Sequence, residues 1–198
     1  MPRSRRCAKM RGMSGGTIVI ASLNARLQPL DRGEIYEDPL DEELRRAELG
    51  QVTGGGTALD ENGELESCDI EIELAESAEH SFDAVRATLE RLGAPKGSRL
   101  VVDAGEWEIP FGFSEGLAVY LNGTDLPDEV YRDSDVNHVY EEFNRLLQGV
   151  GAVHSYWEGP TETALYLYGA SFEQMRAAIA DLMASYPLCE RARVVQIA

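Results

Sequence analysis

Apolar and polar positions change period several times along this chain, and each change marks an element. Thr17–Gln28 begins β-branched and apolar, then alternates through Leu23, Ala25 and Leu27, the two-residue period of a strand. Leu40, Leu44 and Ala47 follow at helical spacing. Pro39 suits the first turn of that helix, Asp38 its N-cap, and Asp41, Glu42 and Glu43 the positive end of its dipole. Gly50 ends it. Gln51–Ala58, with Gly54-Gly55-Gly56 inside it, predicts a second strand. Asp60-Glu61-Asn62-Gly63 predicts a hairpin turn, Asn-Gly supplying the positive φ angles. The return strand Cys68–Leu74 alternates cleanly, with Cys68, Ile70, Ile72 and Leu74 on one face and Asp69, Glu71 and Glu73 on the other. Leu65 has the opposite parity to Cys68, which predicts a bulge or register change near Ser67. A helix capped by Ser81 turns Phe82, Val85, Leu89 and Leu92 inward, Gly93 and Pro95 stop it, and Ser98–Val102 is a last strand.

That order is β-α-β-β-α-β, and the second half repeats it. Gly116–Leu121 reads as a strand. Asp133 or Ser134 caps a helix whose stripe is Val136, Val139, Tyr140, Phe143 and Leu147, and Gly149–Val153 echoes the glycine-rich strand. Gly159-Pro160 turns into the strand Ala164–Tyr168, Ser171 caps a second helix, and Arg193–Ile197 closes the sheet. Glu34-Ile35-Tyr36-Glu37-Asp38 and Glu129-Val130-Tyr131-Arg132-Asp133 share one core motif at a displacement of 95 residues. Ser81, Phe82, Val85, Leu89 and Leu92 match Ser171, Phe172, Met175, Ile179 and Leu182, each displaced by 90. The expected fold class is α+β, two tandem ferredoxin-like (βαββαβ) domains from an internal duplication. Residues 1–16 are expected to be a disordered basic N-terminal extension, 17–104 the first domain, 105–112 a linker and 113–198 the second domain. The topology is similar to that of duplicated regulatory ligand-binding modules of the ACT type, although the chain shows no ACT ligand motif, and a fold does not by itself give a function.

Charge changes the picture more than composition does. The chain carries 18 basic and 35 acidic residues, a net charge of −17. Arg3, Arg5, Arg6, Lys9 and Arg11 fall within an acid-free head of sixteen residues, so the body is more acidic still. Such a surface repels phosphate backbones and attracts basic partners. The head has no apolar core of a signal peptide, and translation from Met10 or Met13 would remove most of it. No run is long and apolar enough to span a bilayer, so no membrane is expected as a partner. Three widely spaced cysteines, Cys7, Cys68 and Cys189, form neither a disulfide framework nor a Cys-x-x-Cys site, which suits a reducing cytoplasmic setting.

Candidate sites follow from the bare sheet faces that this topology leaves. Asp69, Glu71 and Glu73 in the first half, and Tyr120, Tyr166 and Tyr168 in the second, are the candidate binding surface. Exposed rings of that kind would stack bases in an RNA-recognition sheet, but the basic glycine pattern is missing and the charge is wrong. Packing between the halves or in a homodimer accounts for them more simply. The repeated Glu34/Tyr36 and Glu129/Tyr131 segments set carboxylates beside a phenol. They read either as a site for a cation or as core plugs followed by capping aspartates. Asp135, His138 and Glu141, with Glu142, share one flank of a helix at a spacing poorly suited to a metal. The triple glycine lacks the ending of a phosphate loop. No Ser/His/Asp or Cys/His arrangement emerges, and Cys68 faces inward, so no catalytic, cofactor or metal residue is assigned.

The expectation is therefore a non-catalytic acidic binding protein, an inhibitor-like, immunity-type or regulatory partner of a basic protein. The alternatives are a small-molecule-sensing regulatory module with its ligand at the interdomain cleft, and a metal-assisted enzyme using carboxylates.

Overall fold

The computed structural model describes residues 16–102 and 107–198. Most of the basic head, with Cys7, lies outside them. Among the described residues the first half runs β1 (Thr17–Leu23), α1 (Pro29–Arg32), a π-helical turn (Gly33–Glu37), α2 (Asp38–Arg46), β2 (Gly50–Leu59), β3 (Leu65–Leu74), α3 (Glu79–Arg91), β4 (Ser98–Val102) and β5 (Trp107–Phe111). The second half runs β6 (Glu115–Asn122), α4 (Asp128–Asp133), α5 (Val136–Leu146), β7 (Gly151–Glu158), β8 (Glu162–Gly169), α6 (Phe172–Ser185) and β9 (Arg193–Gln196). Two antiparallel sheets result, in the orders β2-β3-β1-β4-β5 and β7-β8-β6-β9. The fold is thus mixed α+β with two sheets of ferredoxin-like strand order. No helix among the described residues is long and apolar enough to cross a membrane.

Several local expectations need correction. The stretch 105–112 is not simply a linker: Trp107–Phe111 is β5, paired from Ser98↔Phe111 to Val102↔Trp107. β-branched Val101 and Val102 would otherwise present an open edge, and β5 closes it. Asp38 caps nothing, because the helical run already begins at Pro29 and Asp38 has helical angles. Ser81 lies inside α3, which starts from Ala78, and Ser81 is buried. Neither Asp133 nor Ser134 caps α5; Asp135 does, accepting from the Asn137 amide at 2.8 Å. Ser171 caps α6 as its sequence suggests, though at a long 3.4 Å to Gln174. The Leu65 parity break is real: Ala58 pairs with Ser67 but Leu59 with Leu65, a register shift of the expected kind.

How the halves meet decides what is left open. The helices cover one face of each sheet, with Cys68, Ile70, Ile72 and Leu74 inward in the first and Leu117, Val119, Leu165 and Leu167 inward in the second. The other face of the second sheet is covered as well. Ala118, Tyr120, Ala164, Tyr166 and Tyr168 join the core of the first half, beside Ala25, Leu27 and Leu65. β6 and β8 are therefore buried on both sides, which is why they read as nearly continuous apolar runs rather than alternating ones. The packing is asymmetric: the second sheet rests on the chain after β1 and on the hairpin tip of the first half, whose own second face stays open.

Candidate functional site

The seat of the second sheet is polar at its centre. Beyond β1 the chain stays extended, burying Ala25 and Leu27 and turning Arg26 toward the second half. The Asp60–Gly63 turn, with Gly63 at φ +78°, brings Glu64 to the same place. Glu64 Oε1 accepts from Arg26 Nη1, from the Tyr120 hydroxyl at 2.5 Å and from the Tyr166 hydroxyl at 3.0 Å. The Arg26 amide donates to the Tyr168 hydroxyl at 2.7 Å, and the Arg193 guanidinium lies 3.6 Å from the Tyr120 ring centroid. Burial first, and the hydrogen bond to Glu64 second, push Tyr120 up to about 12. Burial pushes Tyr166 and Tyr168 up as well, so all three phenols stay protonated at neutral pH and serve as structural groups.

At the rim of this seat lies a cleft walled by the second half, to which the first half contributes Asp31. The Gln28 amide donates to Ser155 Oγ at 2.9 Å, and Ser155 Oγ donates to Asp31 Oδ2 at 2.6 Å. These bonds tie the start of α1 to β7, the edge strand of the second sheet. The cleft, about 400 Å³, opens between that strand and the first turns of α5. Tyr140 and Val136 of α5 and Tyr156 and Glu158 of β7 line it, with Asp31 contributed by the first half. Pockets of this size suit small organic ligands.

His154 forms part of the cleft wall and sits at the register shift between Val153 and Ser155. The bulge leaves it out of the ladder, where its ring meets Tyr168 at 5.3 Å between centroids. Its Nδ1 is sealed from water and has no hydrogen-bond partner. Burial pushes His154 down to about 4, so the imidazole is uncharged at neutral pH.

The sequence-derived candidates separate into three places. Tyr120, Tyr166 and Tyr168 are buried between the halves, because the first half covers the sheet face that the topology alone leaves bare. Asp69, Glu71 and Glu73 remain on the open face of the first sheet, the first two exposed and the third half-buried. The repeated motifs are not brought together. Tyr36 is buried in the first core and donates to the Gly93 carbonyl at 3.2 Å, whereas Tyr131 packs against the second core and donates to Asn122 Oδ1 at 3.2 Å. Glu34 and Glu129 point to solvent. Asp135 is a cap, His138 packs on Tyr186 and Glu142 pairs with Arg145. No three His, Cys, Asp or Glu side chains gather at metal-binding distance among the described residues. Sequence reasoning missed Asp31, Tyr140, His154 and Tyr156 as neighbours.

No family model matches this chain, and no curated protein matches it. Solved structures resemble it at a low level. The regulatory subunit of aspartate kinase from Thermus thermophilus is 9% identical with a TM-score of 0.26, over 86% of this chain and 93% of that one. A novel heme-binding protein, also from Thermus thermophilus, is 14% identical with a TM-score of 0.29, over 91% and 88%. The first two RRM domains of the yeast poly(U) binding protein Pub1 are 11% identical with a TM-score of 0.23, over 92% and 99%. Likenesses this slight carry no argument about function.

Proposed function

We propose that this protein is a non-catalytic, small-molecule-sensing module whose ligand lies in the cleft between α5, β7 and Asp31. The observation that carries the reading is the composition of that cleft across the two halves. A ligand seated there touches both and so adds to the free energy holding them together, which is what a sensing device needs. The two halves are read as an internal duplication, residues 17–104 and 113–198. The buried free thiols Cys68 and Cys189 fit a reducing, cytoplasmic compartment. A thermal-shift screen of metabolites tests the reading. A genuine ligand raises the melting temperature of the native chain and loses that effect in Tyr140→Ala. A hit that stabilises Tyr140→Ala equally, or an empty screen, argues against it.

A second reading rests on the open face of the first sheet. Ile18, 47% exposed, and the half-buried Ile20 and Val101 form a short apolar stripe there, flanked by Asp69, Glu71, Glu73 and Glu108. Among the described residues, Arg99 is the one cation that the strand register places in this face, and it lies 3.3 Å from Glu108. A basic protein partner suits this surface, and a second acidic copy suits it less. The charge-neutralised variant Asp69→Asn/Glu71→Gln/Glu73→Gln should lose any salt-sensitive partner that the native chain retains. Retention of that partner by the variant contradicts the reading.

A further inference from the structure

The side chains around the cleft also select a class of ligand, an inference that rests on the proposed site. Two carboxylates, Asp31 and Glu158, line the cleft, and among the described residues no lysine or arginine does. Asp31 is tied to Ser155, while Glu158 follows Tyr156 by two residues on β7 and so shares that ring's face of the strand. The same cleft is lined by two rings that the fold leaves half open, Tyr140 at 40% exposure and Tyr156 at 50%, and by Val136 at 38%. Phenol rings present their negative faces to cations, and in a site with two carboxylates the two preferences add. His154, uncharged through burial, adds no positive charge to the wall. An anionic ligand would meet two carboxylates and an acidic body with nothing to neutralise it. A purely apolar ligand would leave both carboxylates desolvated and unpaired.

We propose that the cleft binds a small organic amine bearing an apolar ring, its ammonium group paired with a cleft carboxylate and its ring laid against Tyr140 and Tyr156. A neutral molecule of the same shape binds more weakly and an anionic one is rejected, because each lacks the charge that the carboxylates require.

Three probes of one shape test this by isothermal titration calorimetry on the full chain: 2-phenylethylamine, 2-phenylethanol and phenylacetate. The amine is expected to bind at least tenfold more tightly than the alcohol, with no measurable phenylacetate binding. Asp31→Asn and Glu158→Gln should each weaken the amine several-fold; the asparagine keeps an acceptor for the Ser155 hydroxyl, so the rim stays tied. Tyr140→Ala should weaken the amine and the alcohol alike. Equal binding of alcohol and amine, or tight phenylacetate binding, overturns the ligand class and leaves the cleft as the site. Failure of all three probes also overturns the class. The cleft itself then stands or falls with a Tyr140-dependent hit in the metabolite screen.

Discussion

Glu64 is the residue on which the junction turns, because three donors from both halves converge on one of its oxygens. Removing it strands a partly buried guanidinium and two phenols at once. Glu64→Ala should destabilise the chain by about 2 kcal/mol or more, while Glu64→Gln, which keeps an acceptor, should lose less. Chemical denaturation of the two variants checks the order. His154 makes a second prediction. Its folded value of about 4 lies below its ordinary 6.5, so the unfolded chain takes up the proton first as the pH falls. The native chain should therefore lose stability between about pH 6.5 and pH 4 more steeply than His154→Gln. Melting temperatures measured across that window decide it, since both proteins share the same carboxylates. Neither residue announces itself in the sequence. Glu64 is one acid among 35 acidic residues, and its role needs Tyr120 and Tyr166 from 56 and 102 residues away.

The first helical run shows what periodicity can and cannot reveal. Arg32, Tyr36, Leu40 and Leu44 are all buried at a strict spacing of four. In a regular α-helix that spacing drifts by about 40° per step, so the last would face well away from the first. The wider π turn Gly33–Glu37 rewinds the drift, and Pro39, which has no N–H to close the next turn, follows it at the junction. Reading only Leu40, Leu44 and Ala47 finds the second half of this element and misses the first. The triple glycine opposite has the same explanation. A Cβ on Gly55 would stand 2.9 Å from Arg32 Nε, 2.8 Å from the Asp69 carbonyl and closer still to Glu37. The Arg32–Glu37 pair, 2.5 Å between Nε and Oε1, lies across the strand there, and Arg32 reaches on to Thr57 Oγ1 at 2.7 Å. Gly55→Ala should therefore cost about 1–3 kcal/mol in a thermal or denaturant melt, whereas Gly56→Ala, with open space around it, should cost much less.

At the scale of the whole molecule, strand order and most helix stripes were legible because each is a local period, and the alternation of β3 even identified the face that stays open. The packing of the halves was not legible, since nothing local says which of two bare sheet faces the other half will cover. That choice buries the tyrosines, leaves Asp69 and Glu71 outside and creates the cleft with Asp31 at its rim. The account therefore stands or falls on what occupies that cleft. The most direct measurement is an amide chemical-shift map of the isotope-labelled chain, titrated with a mixture of small metabolites. The account predicts shifts that gather at Val136–Tyr140, His154–Glu158 and Asp31 and that saturate with concentration. Shifts confined to β1, β3 and β4 on the open sheet face, or none at saturating metabolite, would contradict it.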